Sequence, residues 1–224
     1  MKVKEKNNTT SKGISKVWKC FYLVCKRIFD IIVSLIGLVF LVPIYIIIRI
    51  AYIISGDFHG ILYTQDRIGK NGKKFKLYKY RSMIIDADNK LEELLNNNED
   101  LRKEYKENKK LVNDPRVTKV GTFIRKYSID ELPQLLNVFI GNMSLIGNRP
   151  YLPREKKDMG KYYDGIVKTK PGLTGYWQIN GRNDTSFNKR LQLEEYYSEH
   201  QCFKLDFKIF FKTFAVVLQG RGAK

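Results

Sequence analysis

Two histidines and three cysteines in 224 residues leave little room for soft-metal or disulfide chemistry. His59 and His200 lie far apart, and Cys20, Cys25 and Cys202 are odd in number and lack zinc-ligand spacing. These cysteines read as reduced, inert thiols in a reducing, cytosol-facing setting. Neither a G-x-x-x-x-G-K-S/T phosphate loop nor a G-x-G-x-x-G fingerprint occurs, so nucleotide binding by those routes is unsupported. No internal repeat or long low-complexity tract is visible. Acids are scarce too: 23 against 41 lysines and arginines, a net charge of +18. Such a surface asks for an anionic partner, whether lipid headgroups, nucleotides, phosphates or nucleic acid. The length suits one domain plus an appendage.

What is present begins with an apolar run. Residues 1–19 are polar and lysine-rich; then 18 residues between Asp30 and Arg49 carry no charge, enough for a membrane segment. No small-residue cleavage site follows, which argues against a cleaved signal peptide. Pro43 lies deep in the run, and both flanks are basic: residues 1–29 hold eight basic groups and one acid, the remainder 33 and 22. Basic flanks prefer the cytoplasm. A helix that enters the membrane, breaks near Pro43 and returns satisfies both flanks, with Asp30 and Arg49 at headgroup level; a single span satisfies only one.

Residues 61–83 read as a β-hairpin turning at Asn71-Gly72. In its second arm Lys79 and Arg81, two apart, would share a face and could together hold a phosphate. Residues 86–110 read as one or two solvated helices. The stretch PGLTGYWQINGRND has the composition of a loop, and loops carry sites more often than cores do. Residues 186–200 read as a helix with an acidic patch at Glu194 and Glu195. The C-terminal CFKLDFKIFFKTFAVVLQGRG places Lys204, Lys208 and Lys212 on one stripe among apolar residues, the pattern of a helix lying in a membrane interface.

The centre of the chain is GTFIRKYSIDELPQLLNVFIGNMSLIGNRPYLP, residues 121–153. Asp130 and Glu131 are adjacent, Arg125 and Lys126 lie just upstream, and Arg149 sits in a Gly/Asn/Pro turn. Two readings of SIDE compete. Ser128 and Glu131 fit a capping box, but that would make Pro133 the fifth helical residue, where its missing N–H is needed. Placing Pro133 at the first helical position, with Gly141 just past the end, removes the conflict. Both acids then lie in the turn before a helix. One carboxylate could attack phosphorus while the other helps hold Mg²⁺, with the cations offsetting charge repulsion. Spacing alone leaves open which acid does which.

KRIFD, QDRIGKNGKKFKLYKYRSM, DPRVTKVGTFIRKYSIDELPQLLNVFIGNMSLIGNRP and KPGLTGYWQINGRND, in that order, resemble the bacterial sugar transferase family, the small monotopic phosphoglycosyl transferases. The resemblance covers roughly residues 25–220. It implies transfer of a sugar-1-phosphate from a UDP-sugar to undecaprenyl phosphate, with release of UMP, use of Mg²⁺ and a covalent phospho-sugar intermediate. It assigns the nucleophile to Asp130, the metal-associated acid to Glu131 and a phosphate-holding role to Arg125. It puts the basic pair on Lys79 and Arg81, and the nucleotide-recognising turn on Gly147, Asn148, Arg149 and Pro150. Asn148 stands where the family has proline, and Val42 where it has serine before the membrane proline, Pro43. Gln178 and Arg182 are further candidate substrate contacts. The GYWQINGRND loop is more similar to members using galactose or glucose than to those using acetamido sugars.

The expected fold is α+β and monotopic. It comprises a re-entrant helix-break-helix, a β-hairpin, a mainly helical catalytic domain and a C-terminal interfacial helix. Residues 1–24 form a flexible basic N-terminus, 25–56 the membrane helix and 57–220 the catalytic domain on the cytoplasmic face of a bacterial membrane. The long multi-helix extension of some relatives is absent from this sequence, so it reads as the compact catalytic form. Partners would be a UDP-sugar, undecaprenyl phosphate and the membrane, not nucleic acid; a homo-oligomer is allowed. The rival readings are a non-catalytic basic membrane-tethered binding module and an assembly scaffold.

Overall fold

A computed structural model describes residues 3–108, 111–181 and 185–218. It is a mixed helix-and-strand fold built on one long helix, α1 (Val3–Ile54). The portion from Lys16 to Ile54 is long and apolar enough to cross a membrane. α1 is helical from Val3 to Ile54 with Pro43 inside it, so the helix is not interrupted at the proline as expected. A proline removes one helical hydrogen bond. Here Leu41, Ile44 and Ile48 pack into the same cluster as Tyr52, Ile61, Tyr80 and Ile124, which holds the helix on both sides of it. The opposite face is exposed and apolar, with Phe21, Ile28, Leu35, Val39, Ile46 and Ile50 among its residues.

Asp30 is turned into the protein interior. It is buried, and its Oδ1 accepts from the Leu145 N–H at 2.9 Å and the Ser144 hydroxyl at 3.1 Å, tying α1 to the interior. Arg49 stays near the surface and donates to the carbonyls of His59 and Phe58.

The hairpin forms as expected. β1 (Leu62–Ile68) pairs antiparallel with β2 (Lys74–Tyr80), and Asn71 takes up the left-handed conformation at φ 57° in the turn. Helices α2 (Ala87–Asn97) and α3 (Glu99–Asn108) are the solvated pair; Leu91 is buried in α2. Helix α4 (Lys119–Lys126) starts on Thr118, whose side-chain oxygen accepts from the Gly121 N–H. Helix α5 (Gln134–Ile140) has Pro133 at its N-cap and Gly141 at its C-cap with φ 99°, one residue from the register expected on proline grounds. Its far end is closed by Arg27, which donates to the carbonyls of Val138 at 2.6 Å and Phe139 at 2.8 Å.

Strand β3 (Ser144–Ile146) is followed by the short helices α6 (Lys156–Met159) and α7 (Tyr163–Ile166). Then β4 (Gly172–Thr174) pairs with β3 in parallel. The pairing is close because both crossing points lack side chains: a Cβ on Gly172 would lie 2.0 Å from the Gly147 nitrogen. Helix α8 (Phe187–His200) is capped by Ser186, and α9 (Phe203–Leu218) completes the described chain. In α9 Asp206 and Ile209 face inward, while Phe203, Phe207 and Phe211 are exposed beside the exposed lysines 204, 208 and 212. Leu135 and Val138 of α5, Leu145 and Ile146 of β3, Tyr197 of α8 and Ile209 of α9 share one core.

Candidate functional site

Asp130 and Glu131 lie in a single 3-10 turn, Ile129–Glu131, between α4 and α5. The capping-box alternative does not form, since the Ser128 side chain makes no capping bond. Ser128 instead adopts the left-handed region at φ 57°, uncommon for a residue with a side chain. That local reversal lifts the acids out of α5 and points them toward β2. The distance is set by Asn137 of α5, which accepts from the Tyr78 N–H and donates to the Lys76 carbonyl, clamping the helix to the strand.

Lys79 of β2 then meets both acids. Its Nζ donates to Glu131 Oε1 at 2.7 Å and lies 3.8 Å from Asp130 Oδ2. Asp130 is buried, and burial pushes its carboxyl up to about 6; the Glu131 charge adds to the rise, while Lys79 and Arg125 oppose it. Arg125 acts on Asp130 through its charge and is oriented by its Nε, which donates to Ser82 Oγ at 2.8 Å.

Glu131 and Lys79 open onto a polar pocket shared with Arg149, Gln178, Gln134 and Arg67. Four of these were candidates from sequence; Gln134 and Arg67 were not. Arg67 was within reach of the pattern. Across the Asn71-Gly72 turn it pairs with Phe75, so it lies on the same sheet face as Leu77 and Lys79. Arg149 is held from behind: its N–H donates to Glu194 Oε1 at 2.9 Å, and its guanidinium lies over Trp177. Arg190 lies over the same ring. Glu194 is therefore not part of a surface acidic patch. It is wholly buried, and burial drives its carboxyl up to about 8.

Arg81 is the clear correction. β2 ends at Tyr80, and Arg81 turns away to bind Asp57 at 2.9 Å and the carbonyls of Gly60 and Met83, with its guanidinium over Tyr52. It braces the start of the domain and holds the Asp57 carboxyl below its ordinary range; it does not share a phosphate with Lys79. Asn148 is likewise structural: buried, it donates to the Ile166 carbonyl, Thr169 and Ser198, fixing the turn that presents Arg149. Arg182 lies outside the described residues.

An apolar groove of about 360 Å³ adjoins the polar pocket and shares Glu131, Leu173 and Gln178 with it. Val33 and Gly37 of α1, Leu132, Leu135, Ile179 and Phe210 are among its walls. Glu131 thus sits where a charged compartment meets an apolar one, with Asp130 buried next to it in the chain. Among the described residues no three His, Cys, Asp or Glu side chains converge as a metal cage. Two adjacent carboxylates do fit Mg²⁺, which commonly takes one or two protein carboxylates and draws its remaining ligands from substrate phosphates and water.

Residues 21–220 match the family model described as bacterial sugar transferase. Over 198 residues the chain is 42% identical to an undecaprenyl-phosphate galactose phosphotransferase of Salmonella typhimurium, a match covering 88% of this chain and 41% of that protein. It is 34% identical over 201 residues to the UDP-glucose:undecaprenyl-phosphate glucose-1-phosphate transferase of Escherichia coli, covering 84% and 39%. It therefore spans about two fifths of the length of these two relatives. The exopolysaccharide production protein ExoY of Sinorhizobium fredii is 38% identical over 200 residues and is matched over 88% of its length, as is 89% of this chain. With the family match running from within α1 past the end of α9, the chain belongs to the bacterial sugar transferase family.

Proposed function

We propose that this protein transfers a hexose-1-phosphate from a UDP-sugar to undecaprenyl phosphate, releasing UMP, as the first membrane step in building an exopolysaccharide, capsule or O-antigen. The observation that carries the reading is the position of Asp130. It is a buried carboxyl raised to about 6, held near Lys79 and directly behind Glu131, the acid that lines both the polar pocket and the apolar groove. The galactose and glucose named for the relatives favour a hexose donor.

In the first step an Asp130 carboxylate oxygen attacks the β-phosphorus of the donor. A P–O bond forms to Asp130 and the bond from that phosphorus to the bridging oxygen breaks, so UMP leaves with the electron pair. In the second step an oxygen of undecaprenyl phosphate attacks the same phosphorus. The aspartyl P–O bond breaks, giving the lipid diphosphate sugar and the free carboxylate. Lys79 and Arg125 stabilise the ionised nucleophile and offset the charge brought by the phosphates. Glu131, with Asp130 beside it, would hold Mg²⁺, which supplies charge neutralisation at the diphosphate when bound.

The membrane reading is monotopic, with the catalytic domain on the cytoplasmic face and both ends of the apolar part of α1 held on that side. It is supported by packing at both ends of α1. Tyr22 donates to Asp206 of α9 at 2.7 Å, and Tyr52 donates to the Arg81 carbonyl beyond β2. A helix crossing the bilayer would carry one of those polar contacts away from the domain.

The test is UMP release in detergent from a panel of UDP-sugars with Mg²⁺ and undecaprenyl phosphate. Asp130→Asn and an EDTA control run alongside. Lipid-dependent UMP release lost in both controls is the expected result, with UDP-galactose or UDP-glucose as the preferred donor. Intact protein that releases no UMP from any donor would return the chain to a binding or scaffolding role.

A further inference from the structure

Arg67 stands out among the pocket side chains because no carboxylate pairs with it directly. Its relative exposure is 8%, and its Nη1 and Nη2 donate only to neutral groups, the Pro150 carbonyl at 3.0 Å and Gln65 Oε1 at 2.7 Å. No ion pair to it occurs among the described residues, and its Nε is buried without a hydrogen-bond partner. The Nε of Arg149, in the same pocket, is in the same condition. Burial and the Arg149 charge lower Arg67 to about 10, and the charges of Glu155 and Glu131 offset this only in part. A buried guanidinium with no direct ion pair is costly, and a second, half-buried guanidinium in the same pocket adds to that cost. A purely structural residue could make the two neutral bonds without the charge.

We infer that Arg67 and Arg149 form a paired-guanidinium seat for a diphosphate, that of the nucleotide-sugar donor, and that Arg67 is a substrate-binding residue. The inference rests on the donor named under Proposed function and adds a residue and a subsite to it. Two planar forks lining one pocket, each with an unpartnered Nε–H, suit an anion that offers several oxygens at once. The acceptor lipid also carries a phosphate, but geometry separates the two. The apolar groove reaches the pocket at Glu131, Leu173 and Gln178, and neither arginine lines it. A lipid approaching along the groove therefore meets Glu131 first, while the arginines lie beyond, on the side left to the soluble substrate.

The experiment compares wild type with Arg67→Lys, which keeps the charge but loses the Nε–H and the fork. UDP, inorganic pyrophosphate and uridine are titrated calorimetrically, and KM is measured separately for UDP-sugar and undecaprenyl phosphate. The seat predicts about tenfold or more weaker UDP and pyrophosphate binding in the variant. It also predicts a matching rise in donor KM, with uridine affinity and lipid KM unchanged. A rise confined to the lipid KM would assign the anion to the acceptor and overturn the proposal. So would unchanged UDP affinity in a variant that still turns over, a result that leaves the transferase reading intact. Loss of UDP and pyrophosphate binding in a system whose wild type releases no UMP would support the seat and overturn the transferase reading. If Arg67→Lys does not fold, the structure of the wild-type protein with UDP decides: a phosphate oxygen within hydrogen-bond distance of Arg67 Nε is expected, and its absence there overturns the seat.

Discussion

Asp130 is kept where an ionised carboxylate is disfavoured, and the cost is visible as a raised pKa of about 6. Between about pH 4, where an unfolded aspartate titrates, and pH 6, the folded protein holds a proton that the unfolded chain has released. Stability therefore falls as pH rises through that window and levels off above it. Asp130→Asn removes this slope. It is expected to abolish UMP release while raising the thermal midpoint at pH 8, by the equivalent of about 1–3 kcal/mol, with little change at pH 4; equal midpoints at both pH values would contradict the burial argument. The same titration should give kcat/KM for the donor a rising limb near pH 6. Lys79→Met, which removes the cation lowering that carboxyl, should move the limb upward, and a limb that stays put would show that Asp130 is not the group observed. At this scale the sequence was half legible. The Asp-Glu pair, Lys79 and Arg149 were apparent from type and neighbourhood. The roles of Arg81 and Arg67 were not, because both are basic residues of one hairpin and only the strand end and the pairing register separate the brace from the pocket residue.

Elements place these residues by contacts too close for side chains. The parallel pair of β3 and β4 brings the Arg149 turn against the loop carrying Trp177 and Gln178, and it can do so only because Gly147 and Gly172 meet backbone to backbone. Gly172→Ala puts a methyl 2.0 Å from the Gly147 nitrogen, so the strands must part. We expect a loss of about 2 kcal/mol or more in chemical denaturation and a donor KM raised well beyond any change in lipid KM. An alanine variant with wild-type stability would mean the crossing yields without cost. The hairpin and α5 were legible because Asn71-Gly72, Pro133 and Gly141 constrain the backbone locally. The β3–β4 pair was not, since strands of three residues joined through short helical turns leave no periodicity. Pro43 misled in the other direction: it signals a break, yet packing on both sides keeps α1 helical.

For the whole molecule the question is how a chain with net charge +18 and an exposed apolar stripe meets a bilayer. From Tyr22 to Tyr52 a helix rises about 45 Å, more than the roughly 30 Å of a hydrocarbon core. Both ends nevertheless contact the same domain, through Asp206 at one end and the Arg81 carbonyl at the other. A transmembrane arrangement would have to break one set of contacts or draw buried charges such as Asp30, Asp206 and Lys26 into lipid. The monotopic arrangement keeps all of them. It leaves the apolar face of α1, and the row Phe203, Phe207 and Phe211 of α9, for lipid, with the adjoining lysines for headgroups. In a background with Cys20, Cys25 and Cys202 changed to serine, single cysteines at Lys12 and at exposed Lys157 should both be blocked by a membrane-impermeant maleimide only after the cytoplasmic face is opened. Labelling of Lys12→Cys in intact cells, with Lys157→Cys protected, would make α1 a true span. The packing between Tyr22 and Asp206 would then have to be absent from the membrane-bound protein.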